Sequence, residues 1–333
     1  MGFLIDTEEF NNFLEKLSRH YRIYAPVNLK GKGRFSDTDS VRYMQVNTIE
    51  EIEFNKKSNF SPREVLLPIT QTLFYFTENS VKEPEVDSKK ILLFLRSCDV
   101  NAIKRIDEIY LRNGPEDIYY GKLRDKVKFV LMECEHSFEN CFCCSMGCNT
   151  TLDYDLFVRY KDKKVFVECR DRSFEPFFKN EGQCDVKPHF VKSNDIKVRI
   201  PENIDENIFN NFMWDEYSAR CIACGRCNVV CGTCTCFSMQ DIFYRDNENA
   251  GERRRVWSSC MVDGYTDIAG GHSFRKSNGE RMRFKVMHKI YDFRKKFGYN
   301  MCVGCGRCDD VCPEYISFSN CVNKLNNAAR EVK

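Results

Sequence analysis

The chain has 333 residues, 42% of them hydrophobic and 13% aromatic, enough apolar side chains to build two or three cores. A formal net charge of +2 argues against a protein that wraps nucleic acid, because that affinity comes mainly from neutralised phosphates. No apolar run approaches the ~18 residues of a membrane span, so neither nucleic acid nor membrane is an expected partner.

The first residues, "MGFLIDTEEFNNFLEK", lack the basic flank and apolar block of an export signal, so a cytoplasmic location is expected. Residue 6 is Asp, which does not fit the myristoylation pattern. From there the chain reads as a helix, with Asp6 as N-cap, Glu9 as its capping-box partner, and Phe10, Phe13, Leu14, Leu17 and Tyr21 on one face. "VRYMQVN" is a short strand candidate. "SPREVLLPITQTLFYF" begins like a helix that Pro68 should bend or stop.

"ILLFL" (91–95) and "VKFVLM" (127–132) are continuous apolar runs suited to a sheet covered on both faces. Ile103, Ile106, Ile109 and Tyr110 recur at helical spacing between them, which makes a β-α-β unit. "DLFVRYKDKKVFVE" (155–168) alternates and turns at Lys161-Asp162-Lys163, a hairpin pattern. The polar stretch "KSNDIKVRIPENIDEN" reads as a linker, and "IFNNFMWDEYSAR" as a helix running into Cys221. The expected architecture is an α/β domain over 1–200, followed by a mainly α-helical two-cluster ferredoxin domain over 201–333.

Twenty cysteines in a chain without an export signal point to metal, since cytosolic thiols stay reduced. The spacing Cys221-x2-Cys224-x2-Cys227-x3-Cys231 recurs at Cys302-x2-Cys305-x2-Cys308-x3-Cys312, followed by Pro313. In such runs three close thiolates hold one [4Fe-4S] cube and the fourth reaches the other cube. Cys221, Cys224, Cys227 and Cys312 are therefore assigned to one cluster, and Cys302, Cys305, Cys308 and Cys231 to a second. Gly225 and Gly306 occupy matching places where a bare backbone can approach sulfur. Structural zinc also takes four thiolates, but its modules usually present two separated C-x2-C pairs.

Cys98 and Cys134 each follow a strand, where open α/β sheets put their ligands. The loop "CFCCSMGC" could complete a third cube with Cys141 and one of Cys143 or Cys144. Cys169, Cys184 and Cys321 suit packing as small hydrophobes. The basic segments "RRRVWSSCMVDGYTDIAGGHSFR" and "ERMRFKVMHKIYDFRKKFG" place Met282, Val286, Ile290 and Phe293 on one helical face. Their cations either solvate a surface or offset cluster charge and offer a docking face. No phosphate-binding glycine loop follows a strand, so no nucleotide or flavin site is expected within the chain.

The combination "RSCDVNAIKRIDEIY", "CFCCSMG", "CIACGRCNVVCGTCTCF", "RVWSSCM", "AGGHSFR", "RFKVMHKIYDF" and "CVGCGRCDDVCP" closely resembles the A-subunit family of anaerobic sulfite reductases. That family is itself similar to the beta subunits of cytosolic nickel-iron sulfhydrogenases. The resemblance spans most of residues 90–320. It implies an iron-sulfur electron carrier between a flavin subunit that oxidises NAD(P)H and a siroheme subunit that reduces sulfite to sulfide, with no substrate site of its own. It also implies Cys98, Cys134, Cys141 and Cys143 as the third ligand set. Two other readings are a sulfhydrogenase beta subunit, with the same wire and a nickel-iron partner, and a structural zinc protein. Gly232 departs from the proline usual after the fourth ligand, which leaves Cys234 and Cys236 as competitors of Cys231. Cys260 is typical of the family and has no assigned role.

Overall fold

The computed structural model describes residues 1–331 apart from 36, 86 and 179–181. In chain order the elements are β1 (Gly2–Asp6), α1 (Thr7–Ser18), β2 (Tyr21–Leu29), β3 (Ser40–Gln45), α2 (Arg63–Leu66), β4 (Thr70–Phe76), β5 (Val81–Lys82), β6 (Lys90–Leu95), α3 (Ser97–Leu111), α4 (Ile118–Arg124), β7 (Val127–Met132), β8 (Leu156–Lys161) and β9 (Lys164–Cys169). The remainder comprises α5 (Asp215–Arg220), α6 (Arg226–Val229), β10 (Phe237–Tyr244), β11 (Asn247–Trp257), α7 (Asn278–Met287), α8 (Phe293–Phe297), α9 (Arg307–Val311) and α10 (Phe318–Glu331).

Asp6 caps α1 as its sequence demands, accepting a hydrogen bond from the Glu9 amide at 2.8 Å, and Phe10, Phe13, Leu14 and Leu17 are buried. Tyr21 instead opens β2. Pro68 ends the apolar stretch after one helical turn, and the chain continues as β4. The helix expected over 208–220 is broken. Asp205 and Asn211 each cap a short 3-10 turn with their side chains, and only Asp215–Arg220 is α-helical.

Seven strands form one sheet in the order β1-β9-β8-β7-β6-β2-β3. Its centre, β8, β7, β6 and β2, is parallel, and β9, β1 and β3 add antiparallel edges. Strand alternation sends Leu92, Phe94, Val130 and Met132 toward α1, and Leu93, Leu95, Phe129 and Leu131 toward α3 and α4. Both faces are covered, which accounts for the unbroken apolar runs. The carboxyl ends of β6 and β7 consequently open beside the start of α3.

After residue 200 the chain is less helical than expected. β10 and β11 form a long hairpin, and β11 pairs with β4, giving a second sheet in the order β10-β11-β4-β5. A β ladder thus crosses the expected break near residue 200. One buried cluster also unites Ala102, Phe142 and Cys148 with Trp214, Val286, Ile290 and Leu325. No helix among the described residues is long and apolar enough to cross a membrane.

Candidate iron-sulfur centres

The two cysteine runs fold almost identically. Each contains a left-handed glycine just before its short helix, Gly225 (φ 73°) before α6 and Gly306 (φ 71°) before α9. Two residues earlier the chain is again left-handed, at Ala223 (φ 55°) and Gly304 (φ 69°). This turn aims amides at sulfur. Ala223 N donates to Cys221 Sγ at 3.4 Å, and Gly304 N to Cys302 Sγ at 3.4 Å. The Ile316 amide donates to Cys312 Sγ at 3.3 Å.

Cys221, Cys224, Cys227 and Cys312 stand around one pocket of about 480 Å³. Cys231, Cys302, Cys305 and Cys308 stand around a second of about 370 Å³. Cys227 and Cys308, with Lys285 and Phe318, belong to the wall of both, so the two spaces share a partition. Cys312 lines the pocket of the first run and Cys231 that of the second.

A third pocket of about 400 Å³ lies at the carboxyl ends of β6 and β7, with Cys98, Cys134, Cys141 and Cys143 in its wall. Cys144 is turned away from it and donates to Val191 O at 3.6 Å, while its amide is held by Asn194 Oδ1 at 2.8 Å. Cys148 is buried elsewhere, against Arg105 at 3.2 Å. The second and third pockets adjoin, and Cys141 Sγ donates to Cys305 O at 3.4 Å.

Several supporting residues carry no signal of their own in the sequence. Arg307, inside the second run, makes a buried ion pair with Asp99, the neighbour of Cys98, and also binds Ser58. Lys57 reaches Glu139 O at 2.7 Å, Cys305 O at 3.3 Å and the Asp310 carboxylate at 2.5 Å. Asn194 Nδ2 binds Ser137 Oγ at 2.9 Å beside Cys143. Gly232 has a packing reason: a β-carbon there would lie 3.1 Å from Ala102 Cβ on α3.

The electrostatics favour thiolates bound to a metal centre. Burial pushes the Cys141 thiol up to about 11 and Cys143 to about 12, and raises Cys98 and Cys305 as well. Such thiols become ligands only when something positive replaces the proton. Burial likewise opposes the charge on Lys285 and Lys289, yet the sulfurs of Cys227 and Cys308 around the first, and of Cys231 and Cys234 around the second, outweigh it. Both ammonium groups are buried, and among the described residues neither has a carboxylate partner. A buried charge without a counter-charge is costly, so these cations call for anionic sulfur opposite them. Three neighbouring arginines are engaged elsewhere: Arg253 pairs with Asp241, Arg254 with Glu252 and Arg255 with Asp117.

Soft thiolates ringing pockets, with amides aimed at sulfur, fit iron-sulfur cubes. A single zinc ion fits poorly. Zinc needs its ligands closed on one point, whereas these thiols stand around the walls of pockets.

The family model of a 4Fe-4S dicluster domain matches residues 220–316. Sulfhydrogenase 2 subunit beta of Pyrococcus furiosus is 30% identical over 344 aligned positions, covering 96% of this chain and 97% of that protein. The chain belongs to the sulfhydrogenase beta-subunit family. No solved structure matches it. The coarse expectation, an iron-sulfur electron-transfer subunit, therefore holds. The relative corresponds to the alternative drawn from the sequence, and the sulfite-reductase identity, with its siroheme partner, receives no support from it.

Proposed function

We propose that this chain relays single electrons through three [4Fe-4S] cubes in a sulfhydrogenase-type complex, between a flavin subunit that handles hydride and a partner with a nickel-iron centre. The ligands are Cys221, Cys224, Cys227 and Cys312; Cys231, Cys302, Cys305 and Cys308; and Cys98, Cys134, Cys141 and Cys143. When bound, each cube supplies a centre that gains or loses one electron at a time, which splits the pairs that hydride chemistry delivers.

One observation carries the reading: the three cysteine-lined pockets are contiguous, with Cys227 and Cys308 between the first and second and Cys141 against Cys305 between the second and third. The middle site lies between the other two. The first opens to solvent at Cys224 and beside Ile222, which is 58% exposed, and the third is partly open at Cys134. Each end can thus face a different partner. The chain's own residues set the environment: the amides of Ala223, Gly304 and Ile316 stabilise negative sulfur, and Lys285 and Lys289 offset the charge of the reduced state.

The test is iron and acid-labile sulfide per chain on anaerobically purified protein, with about twelve irons expected for three four-iron cubes. Cys305→Ala, at the middle site, should leave the flavin partner reducible while stopping electron arrival at the other partner. Unchanged transfer would refute the relay. Nickel in the co-purified complex would support the nickel-iron partner, and siroheme absorbance would overturn it.

A further inference from the structure

The wall of the third pocket holds three cations, Lys57, Arg96 and Arg307, and no carboxylate. Two of the three have a counter-charge of their own just outside that wall: Arg307 pairs with Asp99, and Lys57 with Asp310. Arg96 has no carboxylate partner among the described residues; all its hydrogen bonds go to backbone carbonyls.

Arg96 stands between β6 and α3, two residues before Cys98, and is only 4% exposed. Its Nη1 donates to Glu133 O at 2.8 Å, and its Nη2 to Phe54 O at 2.6 Å and to Lys56 O at 3.2 Å. The guanidinium also lies over the Phe138 ring at 4.5 Å. These contacts tie together the segments that furnish the site: the end of β7 with Cys134, the loop that carries Lys57, and the loop before Cys141. Carbonyl dipoles solvate a guanidinium, but they do not cancel its charge.

A buried charge without a counter-charge is costly. If Cys98, Cys134, Cys141 and Cys143 were protonated and merely packed, Arg96 would be a buried cation facing neutral thiols. Thiolates on a metal centre supply the missing negative charge. The same guanidinium, with Phe138, also lines a larger cavity of about 1110 Å³ at the carboxyl ends of β7 and β8. The other arginine of that cavity, Arg159, is matched there by Glu133. Arg96 thus separates this crevice from the third site, and it belongs to the wall of neither the first pocket nor the second.

We infer that Arg96 is the dedicated counter-cation of the third site, holding its four sulfurs as thiolates and setting the potential of that cube alone. The inference deepens the relay reading and rests on it for the presence of the third cube. A fixed positive charge in a wall of low dielectric favours the reduced state, which carries one more negative charge, and so raises the potential. Lys285 and Lys289 line the other pockets, so the influence of each cation is separable by site.

The experiment is a redox titration, followed by electron paramagnetic resonance, of anaerobic holoprotein carrying Arg96→Gln or Arg96→Lys, with iron counted in each. The signal of the third cube is the one missing from Cys143→Ser. At full iron, Arg96→Gln should move the midpoint of that signal to lower potential and leave the other two in place, and Arg96→Lys should restore it. If Arg96→Gln loses the iron of the third site, Arg96→Lys should still keep it, because the charge persists although the forked bonds do not. An unmoved third midpoint at full iron, or an equal shift of all three, would overturn the inference and leave the relay standing. Loss of that iron from both variants would overturn it as well, since the site would then need the carbonyl bonds rather than the charge. About eight irons in the wild type, instead of about twelve, would remove the third cube and with it both readings of this site.

Discussion

Arg307 and Asp99 form a two-pronged ion pair, Nη1 to Oδ1 at 2.6 Å and Nη2 to Oδ2 at 3.1 Å, with both side chains almost wholly buried. Arg307 lies between Cys305 and Cys308, and Asp99 adjoins Cys98, so the pair fastens the second cysteine run to the first turn of α3. Removing one partner leaves a buried unpaired charge, which costs about 3–5 kcal/mol. Asp99→Asn should therefore lower stability by that order in urea unfolding. The double variant Asp99→Leu with Arg307→Met should recover part of the loss, because it leaves no buried charge.

The matched turns give a paired prediction. At Gly304 an alanine would combine φ 69° with a β-carbon 2.6 Å from the Phe142 carbonyl, so Gly304→Ala should loosen the contact between the second and third sites. Ala223 already bears left-handed strain of about 1–2 kcal/mol. Ala223→Gly should stabilise by up to about 1 kcal/mol after the extra freedom of the unfolded chain is deducted. Thermal unfolding of the two variants side by side checks both directions.

Cys143 and Cys144 are adjacent in sequence but differ in orientation. Cys143→Ser should reduce iron from about twelve to about eight per chain, whereas Cys144→Ser should leave it unchanged. Iron analysis with electron paramagnetic resonance would reveal the reverse outcome directly.

Lys285 stands at the partition of the first two sites. Lys285→Met removes a buried positive charge next to anionic sulfur, so the reduced state should become harder to reach and both potentials should fall. A spectroscopic redox titration reads the shift, and unchanged potentials would show that the ammonium is neutralised by other means.

His288 stacks on Phe284 at 5.7 Å, and burial lowers its pKa to about 4, with Lys289 adding to the shift. Its unfolded value lies near 6.5, so between those limits the unfolded chain binds the extra proton and stability rises with pH. The contribution is present in full above about pH 6.5 and disappears as pH falls toward about 4, amounting to about 2 kcal/mol between pH 7 and 5. His288→Gln should remove that part of the pH slope in unfolding experiments.

Much of this was legible because it is local. Asp6, the apolar runs of β6 and β7, and the turn at Lys161–Lys163 all specify structure within a few residues. The dicluster character was legible for a different reason, since the ferredoxin spacing is itself a repeated motif. The β10–β11 hairpin escaped notice. Its sequence "NENAGERRRVW" is polar, and its partner strand β4 lies on the far side of the chain's midpoint, where no sequence period announces it. Arg307 and Asp99 were hidden likewise, being ordinary surface residue types until the fold buries them together. The linker reading of 192–207 missed Asn194, whose side chain supports Cys143 and Cys144.

The crossed grouping of the cysteines also bears on biogenesis. Cys312 stands with Cys221, Cys224 and Cys227 although it comes from the second run, and β4 waits for β11 to complete the second sheet. During translation the earlier thiols therefore emerge as open, oxidisable half-sites that no local folding can close. Translation must pass Cys312 before the first pocket has all its thiols and Cys308 before the second. Cofactor insertion thus waits for both runs, and truncation just before Cys302 should abolish iron loading at Cys221, Cys224 and Cys227 as well.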